Sequence, residues 1–369
     1  MSAGKDKQEI RRIRSTQRMA REARRRIKQM AAHIPGARSL LRLPEGEPER
    51  ADRIVVISDI HLGDPHDILT TPESVEVLTD SILELGPVDD LVLLGDLFDF
   101  WQSPFHMALE RGRELMRALF TMPNLGRLIY LPGNHDHHIF RMFYEEEYSR
   151  RLRSGEIDPP EHAIPLTREC PAMEPLKPQG ATVPLYMTYP MYHVSVRGKL
   201  VLLTHGHLLG IFERSLWNPK HSRLSSWILS RTDSLELDDM ERFISPYYEM
   251  AALSTYIPGV VEGRYRVYRM LNRTARMWGV NAEDRSSLHR GTLIEENAVE
   301  IEALLDHFCP DKPDYFVYGH THKAGQLVLP LSGTIAINTG CWLEERGFAE
   351  TRKTILEISD RARLLVVDA

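Results

Sequence analysis

Five places in this 369-residue chain put oxygen and nitrogen donors directly after a short apolar run. RIVVISDIH carries Asp59 and His61 beyond Ile54 to Ser58, and DLVLLGDLFDF carries Asp96 beyond Leu91 to Leu94. RLIYLPGNHDHH supplies Asn134, His135 and Asp136 after Leu128 to Leu131. KLVLLTHGH ends in His205 and His207, and DYFVYGHTH ends in His320 and His322. Carboxylate, amide and imidazole donors together suit divalent ions of the manganese, iron or zinc type, not soft thiolate chemistry. Two such ions sharing one carboxylate, roughly 3.5–4 Å apart, would clamp a phosphate and bring the pKa of a water between them toward neutrality.

One histidine in a turn is usually no more than a hydrogen-bonded polar group. A series of five is different, because each member follows one plan: a strand buried on both faces, a small or glycine-rich turn, then the donors. Open sheets collect ligands beyond the carboxyl ends of their strands, so five such ends predict one shared site.

In this order DIH, GDLFD, GNHD, HGH and GHTH closely resemble the motifs of the calcineurin-like metallophosphoesterases, and the resemblance runs from Arg53 to Thr339. GDLFDFW also resembles the branch that contains UDP-2,3-diacylglucosamine hydrolase. The resemblance implies a four-layer α/β/β/α sandwich and two divalent ions, manganese foremost, with iron, zinc, cobalt or nickel as alternatives. Residue by residue, it implies Asp59, His61 and His322 for the first ion, Asn134, His205 and His320 for the second, and Asp96 as the bridge. A hydroxide bridging the ions would then cleave a phosphodiester, pyrophosphate or phosphomonoester, with no protein nucleophile. His135 would stabilise or protonate the leaving oxygen, with Asp136 fixing its orientation.

The chain departs from the diacylglucosamine branch at His135, where that branch often has arginine, and at His207, where it has aspartate. A phosphorylated small molecule and a nucleotide-lipid are both candidate substrates. A nuclease is the rival within the enzyme class, and a non-catalytic binding scaffold is the rival outside it. A scaffold would be marked by lost ligands, and none of the expected set is missing. His207 reads as a substrate contact or as a partner of a ligand, and Asp99 as a partner of a ligand histidine or as a helix cap. His66, His106, His137 and His138 read as surface or packing residues, and Asn338 to Cys341 as support for the site floor.

The elements that must position these groups alternate. Thr71-Pro72 reads as an N-cap followed by proline at the first helical position, with Val75, Leu78, Ile82 and Leu85 on one face. A second helix is expected from Phe105 to Phe120 and a third from His138 to Arg153, which gives parallel strands with crossover helices. Residues 154–190 read as a proline-rich excursion outside the core, and Tyr192 to Thr204 as a hairpin turning at Arg197-Gly198. Strands resume after Asp314.

Four segments follow: a basic arm and linker at 1–50, a first core segment at 51–207, a helical cap at 208–309 and a second core segment at 310–369. The cap interrupts two site motifs and must emerge beside the site. It carries Arg266, Arg269, Arg273 and Arg276 at helical spacing, a face suited to anionic substrate or simply to solvent. The arm is read as helical over 5–34, with Ile13, Ala20, Ile27 and Ile34 spaced by seven. Its 13 Lys and Arg against 3 Asp and Glu within residues 1–43 suit an anionic membrane surface, nucleic acid, or a solvated or self-associating tail. The remainder is acidic enough to bring the net charge to -6. No run reaches the roughly 18 apolar residues of a membrane span, and three scattered cysteines suggest neither a disulfide framework nor a zinc cluster. A cytoplasmic location, peripheral at the membrane if the arm binds lipid, is the expectation. The oligomeric state is left open.

Overall fold

The computed structural model describes residues 14–25, 47–212, 237–263, 266, 294–309, 311–344 and 353–367. They form two sheets packed face to face. The first has seven strands in the order β13-β12-β2-β3-β4-β6-β5, and the second has six in the order β1-β7-β8-β9-β11-β10. Strands β2 (Ile54–Ile57), β3 (Val88–Leu94), β4 (Leu125–Leu131) and β6 (Leu185–Tyr189) run parallel at the centre of the first sheet. β5 (Ile164–Thr167) and β12 (Thr354–Ile358) flank them antiparallel, with β13 (Ala362–Val366) beyond β12. In the second sheet β8 (Lys199–Thr204), β9 (Tyr315–Tyr318) and β11 (Ile335–Asn338) run parallel. β1 (Glu49–Ala51) and β7 (Met191–Val196) extend that sheet on one side, and β10 (Gly325–Val328) on the other.

Alternation of side chains along each strand builds two cores. Ile54, Val56, Val92, Leu94, Ile129 and Leu131 face the second sheet and meet Val194, Val201, Leu203, Val317 and Ile337 in a dry seam. Val55, Ile57, Leu91, Leu93 and Leu128 face outward under the helices. Helix α1 spans residues 14–25. Helices α2 (Pro72–Leu83), α3 (Phe105–Arg111), α4 (Arg113–Phe120) and α5 (His137–Ser154) follow in chain order, and α2, α4 and α5 cover that outer face through Leu78, Ile82, Leu115, Leu119 and Phe140. The Thr71 hydroxyl accepts from the Ser74 amide at 3.3 Å, so α2 starts at the cap its sequence encodes.

The helix expected over 105–120 is broken at Gly112. Residues 154–190 differ more from expectation. They supply β5 and β6 to the first sheet and bury Met173, Leu185, Met187 and Tyr189. Prolines hide the pattern: Pro165 lies in β5, an edge strand that tolerates it, and Pro184 and Pro190 flank β6. The hairpin turns where expected, with positive φ at both Arg197 (48°) and Gly198 (80°), as a type I′ turn requires.

The segment read as a cap contains helices and turns and no strand among its described residues. Helix α6 (Leu237–Leu253) packs on α5, whereas α7 (Ile294–Phe308) lies over β10 and β11 and forms the fourth layer of the α/β/β/α sandwich. Ala298, Ile301, Leu304 and Leu305 of α7 pack with Phe316 and Tyr318, so the helical segment is divided between site and sandwich. In the basic arm, Ala23 is buried and Met19 packs against the main core. The rest of the predicted 5–34 helix lies outside the described residues, apart from 14–25. Among the described residues no helix is long and apolar enough to cross a membrane.

One polar cluster ties the two sheets together. Asp90 on β3 is fully buried, pairs with Arg127 of β4 at 2.5 Å and accepts from the Tyr192 hydroxyl of β7 at 2.7 Å. Arg127→Ala should cost about 3 kcal/mol, since it strands a buried carboxylate, and Tyr192→Phe about 1 kcal/mol. Urea unfolding of the two variants should give this order.

Candidate metal centre

Every predicted donor lies at the carboxyl end of a strand, and the strands come from both sheets. β2 presents Asp59 and His61, β3 Asp96, β4 Asn134, β8 His205, and β9 His320 and His322. Among the described residues, six non-glycine residues have positive φ. Five of them are Asp59 (53°), His61 (55°), Asp96 (51°), His320 (68°) and His322 (61°). Left-handed backbone costs about 1 kcal/mol or more per residue, although Asp and His tolerate it better than most. Here it turns the chain off the strand axis at the residues that carry the donors.

The loops are fastened to one another by backbone bonds that continue the ladders past the strand ends. Asp59 N donates to Gly95 O at 3.1 Å, His61 N to Asp96 O at 2.8 Å, and Gly319 N to His205 O at 3.0 Å. Two glycines permit the approach. A Cβ on Gly319 would overlap the Asp59 carboxylate, and one on Gly133 would overlap Asp96.

The donors fall into two groups. Ligand atoms of Asp59, His61 and His322 all lie within 4.8 Å of one another, and those of Asp96, His205 and His320 do likewise. Asn134 Oδ1 is 3.2 Å from His205 Nε2. Asp96 Oδ2 lies 3.2 Å from His205 Nε2 and 3.7 Å from His61 Nε2, between the groups. Partners on the far side fix the tautomers. His205 Nδ1 sits 2.9 Å from the Leu94 carbonyl and donates to it, which turns Nε2 toward Asp96 and Asn134. His61 Nδ1 is 3.2 Å from Asp99 Oδ2, which leaves its Nε2 facing His322 Nε2 at 3.1 Å.

Ligand atoms of imidazole, amide and carboxylate therefore converge from both sheets. Such a cluster demands positive charge, and a divalent cation in each group supplies it. The donor set thus fits two ions of the borderline transition-metal class. The same demand shows in the titration. Burial pushes the Asp96 carboxyl up, but His205, His135 and His61 outweigh it and hold it well below the usual range. Burial pushes His205 down, yet Asp96 raises it to about 10.

His135 does not take its orientation from Asp136. The Asp136 carboxylate is buried and accepts from Gly133 N at 2.6 Å, Leu97 N at 2.8 Å and Tyr130 OH at 2.8 Å, so it holds the site loops together. Asp99 takes the orienting role: its Oδ1 lies 2.9 Å from His135 Nδ1, while Oδ2 serves His61. It also accepts from the Trp101 and Gln102 amides at 3.0 and 3.1 Å, which closes a turn, so it is a partner of ligand histidines and caps no helix: the next one starts at Phe105 behind Pro104. Trp101 stacks on the His135 ring at 4.2 Å.

His207 is buried 5.6 Å from the His205 ring, with Nε2 3.1 Å from Tyr189 OH. Arg266 is exposed, and Arg269, Arg273 and Arg276 lie outside the described residues. His137 and His138 are neither surface nor simple packing residues. Their rings meet Glu241 at 2.9 Å and Glu249 at 2.6 Å, both on α6. Sequence reading passed over Trp101, Tyr189, Glu241, Ser245, Tyr248 and Glu249. The α6 residues do repeat at helical spacing, but an amphipathic helix gives no sign of which neighbour its polar stripe meets.

The family described as Calcineurin-like phosphoesterase matches residues 52–324. No curated protein matches the sequence. Among solved structures, a dimetal phosphatase from Danio rerio aligns at 15% identity over 87% of this chain and 100% of its own, with a TM-score of 0.36. A conserved uncharacterized protein from Streptococcus pneumoniae, titled a predicted phosphoesterase, aligns at 14% identity over 85% and 89%, with a TM-score of 0.29. A single mutant of Vps29 from Entamoeba histolytica aligns at 10% identity over 86% and 99%, also at 0.29. Superpositions this loose carry no argument, and the assignment of family rests on the sequence match.

The two carboxylates beside His135 should separate on mutation. Asp99→Ala should weaken manganese binding by about 10–100-fold in a calorimetric titration, with the fold retained by circular dichroism. Asp136→Ala leaves several buried donors unpaired at about 1–3 kcal/mol each, so its first effect should be a lowered unfolding midpoint.

Proposed function

The chain belongs to the calcineurin-like phosphoesterase family and is a hydrolase acting on phosphoric ester bonds, and on that premise we propose that it works with two divalent ions. Asp59, His61 and His322 would hold one, Asn134, His205 and His320 the other, and Asp96 would bridge them. The observation that carries this reading is the placement of Asp96 Oδ2 within 3.2 and 3.7 Å of one imidazole from each group. Manganese is the first choice, and iron, zinc, cobalt or nickel suit the same donors. Bound there, the ions supply Lewis-acid polarisation of a phosphoryl group and a hydroxide near neutral pH.

The remaining work falls to side chains. His135 keeps 13% of its side chain exposed, enough for a substrate to reach, while Asp99 and Trp101 fix the ring. It donates a proton to the departing oxygen, with Asp99 Oδ1 2.9 Å from Nδ1 on the far side of the ring. Burial pushes Asp99 up, but His135 and His61 hold it well below the usual carboxylate range, so it stays charged throughout. An acid in this position suits a poor leaving group, which favours an unactivated phosphomonoester, with a phosphodiester or pyrophosphate served by the same arrangement. The diacylglucosamine branch would place a nucleotide-lipid here, and His135 and His207 are the residues at which this chain leaves that pattern.

Elemental analysis after reconstitution should find two ions per chain, and Asp96→Asn should lower both. One ion in the unaltered protein, or a second ion untouched by Asp96→Asn, would remove the bridge. His135→Ala should keep both ions and lose turnover by about 10²–10⁴-fold. The loss should shrink for p-nitrophenyl phosphate relative to an alkyl phosphate, and equal losses would take His135 out of the acid role.

A further inference from the structure

Helix α6 is anchored to the rim of the site by two acids, Glu241 buried and Glu249 partly exposed. Glu241, Ser245, Tyr248 and Glu249 are spaced four, three and one, and so share one helical face. Glu241 is fully buried. Its Oε2 meets His137 Nε2 at 2.9 Å and accepts from Ser245 Oγ at 2.8 Å, while its Oε1 accepts from the Tyr189 hydroxyl. About two turns further along the helix, Glu249 meets His138 Nδ1 at 2.6 Å. Both histidines open α5, immediately after the Asn134-His135-Asp136 turn. Charge-assisted contacts of this kind are strong and directional, so the register of α6 on the site is fixed.

Tyr248 sits between these two anchors. Its ring lies 5.2 Å from that of His137, 6.0 Å from His207 and 5.6 Å from Trp101. Each neighbour leads to the centre. His207 follows His205 by two residues, His137 follows His135 by two, and Trp101 stacks on His135. Although half-buried, the Tyr248 hydroxyl makes no hydrogen bond to any described residue, whereas the neighbouring Tyr189 and Ser245 hydroxyls are both paired. A phenol fixed in place at the edge of a site, with its donor unused, is matched to an acceptor that arrives with the ligand.

We propose that Tyr248 is a substrate-contacting residue whose hydroxyl donates a hydrogen bond to an oxygen of the phosphoryl group, so that α6 completes the active site. Burial raises the Tyr248 phenol above the usual tyrosine range, and the charges of Glu241 and Asp96 add to the shift. It therefore stays a donor at neutral pH, and the influence of Asp96 agrees with a position facing the two groups of ligands. Glu241 is then a positioning residue that acts through the helix. The assignment rests on the dinuclear reading above.

The test compares Tyr248→Phe with the unaltered, manganese-reconstituted protein. Metal stoichiometry and melting temperature are read first, then orthovanadate affinity by calorimetry, then kcat/KM for p-nitrophenyl phosphate. Phenylalanine keeps the ring contacts, so the ion count and melting temperature should stay the same. Vanadate affinity and kcat/KM should each fall by about 10- to 100-fold, the range for a hydrogen bond to a charged group. Glu241→Gln should lower vanadate affinity as well, and adding it to Tyr248→Phe should cost little more than the larger single loss. Unchanged vanadate affinity and turnover in Tyr248→Phe would overturn the proposal. Fewer than two ions in the unaltered protein would instead sink the dinuclear reading, while the vanadate comparison would still judge Tyr248.

Discussion

The constraint on which the rest depends is the dry seam between the two sheets. Val56, Val92, Leu94 and Ile129 from one side and Val201, Leu203, Val317 and Ile337 from the other are all buried. Each such side chain contributes about 1.5–3 kcal/mol relative to exposure. The seam also sets a distance. The tips of β2, β3 and β4 belong to one sheet and those of β8 and β9 to the other, so the two groups of donors come together because the sheets pack closely. Packing at crystal-like density resists small displacements, which keeps Asp96 within reach of imidazoles on both sides.

At the tips the chain accepts strain and repulsion that the seam must offset. Five donor residues hold left-handed backbone, and ligand atoms crowd together within two groups. Hydrogen bonds and one close carboxylate–imidazole contact behind them keep this arrangement from relaxing. The Leu94 carbonyl holds His205, Asp99 holds His61 and His135, and the Ser58 hydroxyl joins Thr339 Oγ1 at 2.6 Å under Asp59. Asp136 works at the same level, gathering amides of the β3 and β4 loops around one carboxylate. Burial and Asp96 raise it to about 6, while Tyr130, Gly133 and His205 pull the other way. The cost of an unpaired polar group in such surroundings explains why so many partners are needed.

Above the tips lies α6, joined to the rim by ion pairs and not by an apolar face alone. Burial pushes His137 down, but Glu241 and Glu249 raise it, and Glu241 is held at about 2 by the same pairing against its own burial. Paired charges of this kind add little net stability compared with apolar packing, but breaking one is expensive, so they favour a single arrangement. The helix is thus a registered part of the site, which suits a surface that has to meet a substrate.

Much of the centre was legible in the sequence because strand-end chemistry is local. An apolar run followed by a small turn and a donor names Asp59, His61, Asp96, Asn134, His205, His320 and His322 without knowledge of how the strands are ordered. The hairpin at Arg197-Gly198 and the cap at Thr71 were legible for the same reason, since each depends on a few neighbouring residues. What only the tertiary structure decided are pairings between distant segments. Asp99, not Asp136, holds His135, because the choice depends on which carboxylate a loop turns inward. Residues 154–190 complete the first sheet, although their prolines disguise short strands. Glu241 and Tyr248 reach the site from more than a hundred residues beyond His135, by way of a helix whose spacing says only that one face is buried. Local pattern fixes which groups a segment offers, and packing between segments decides which groups they meet.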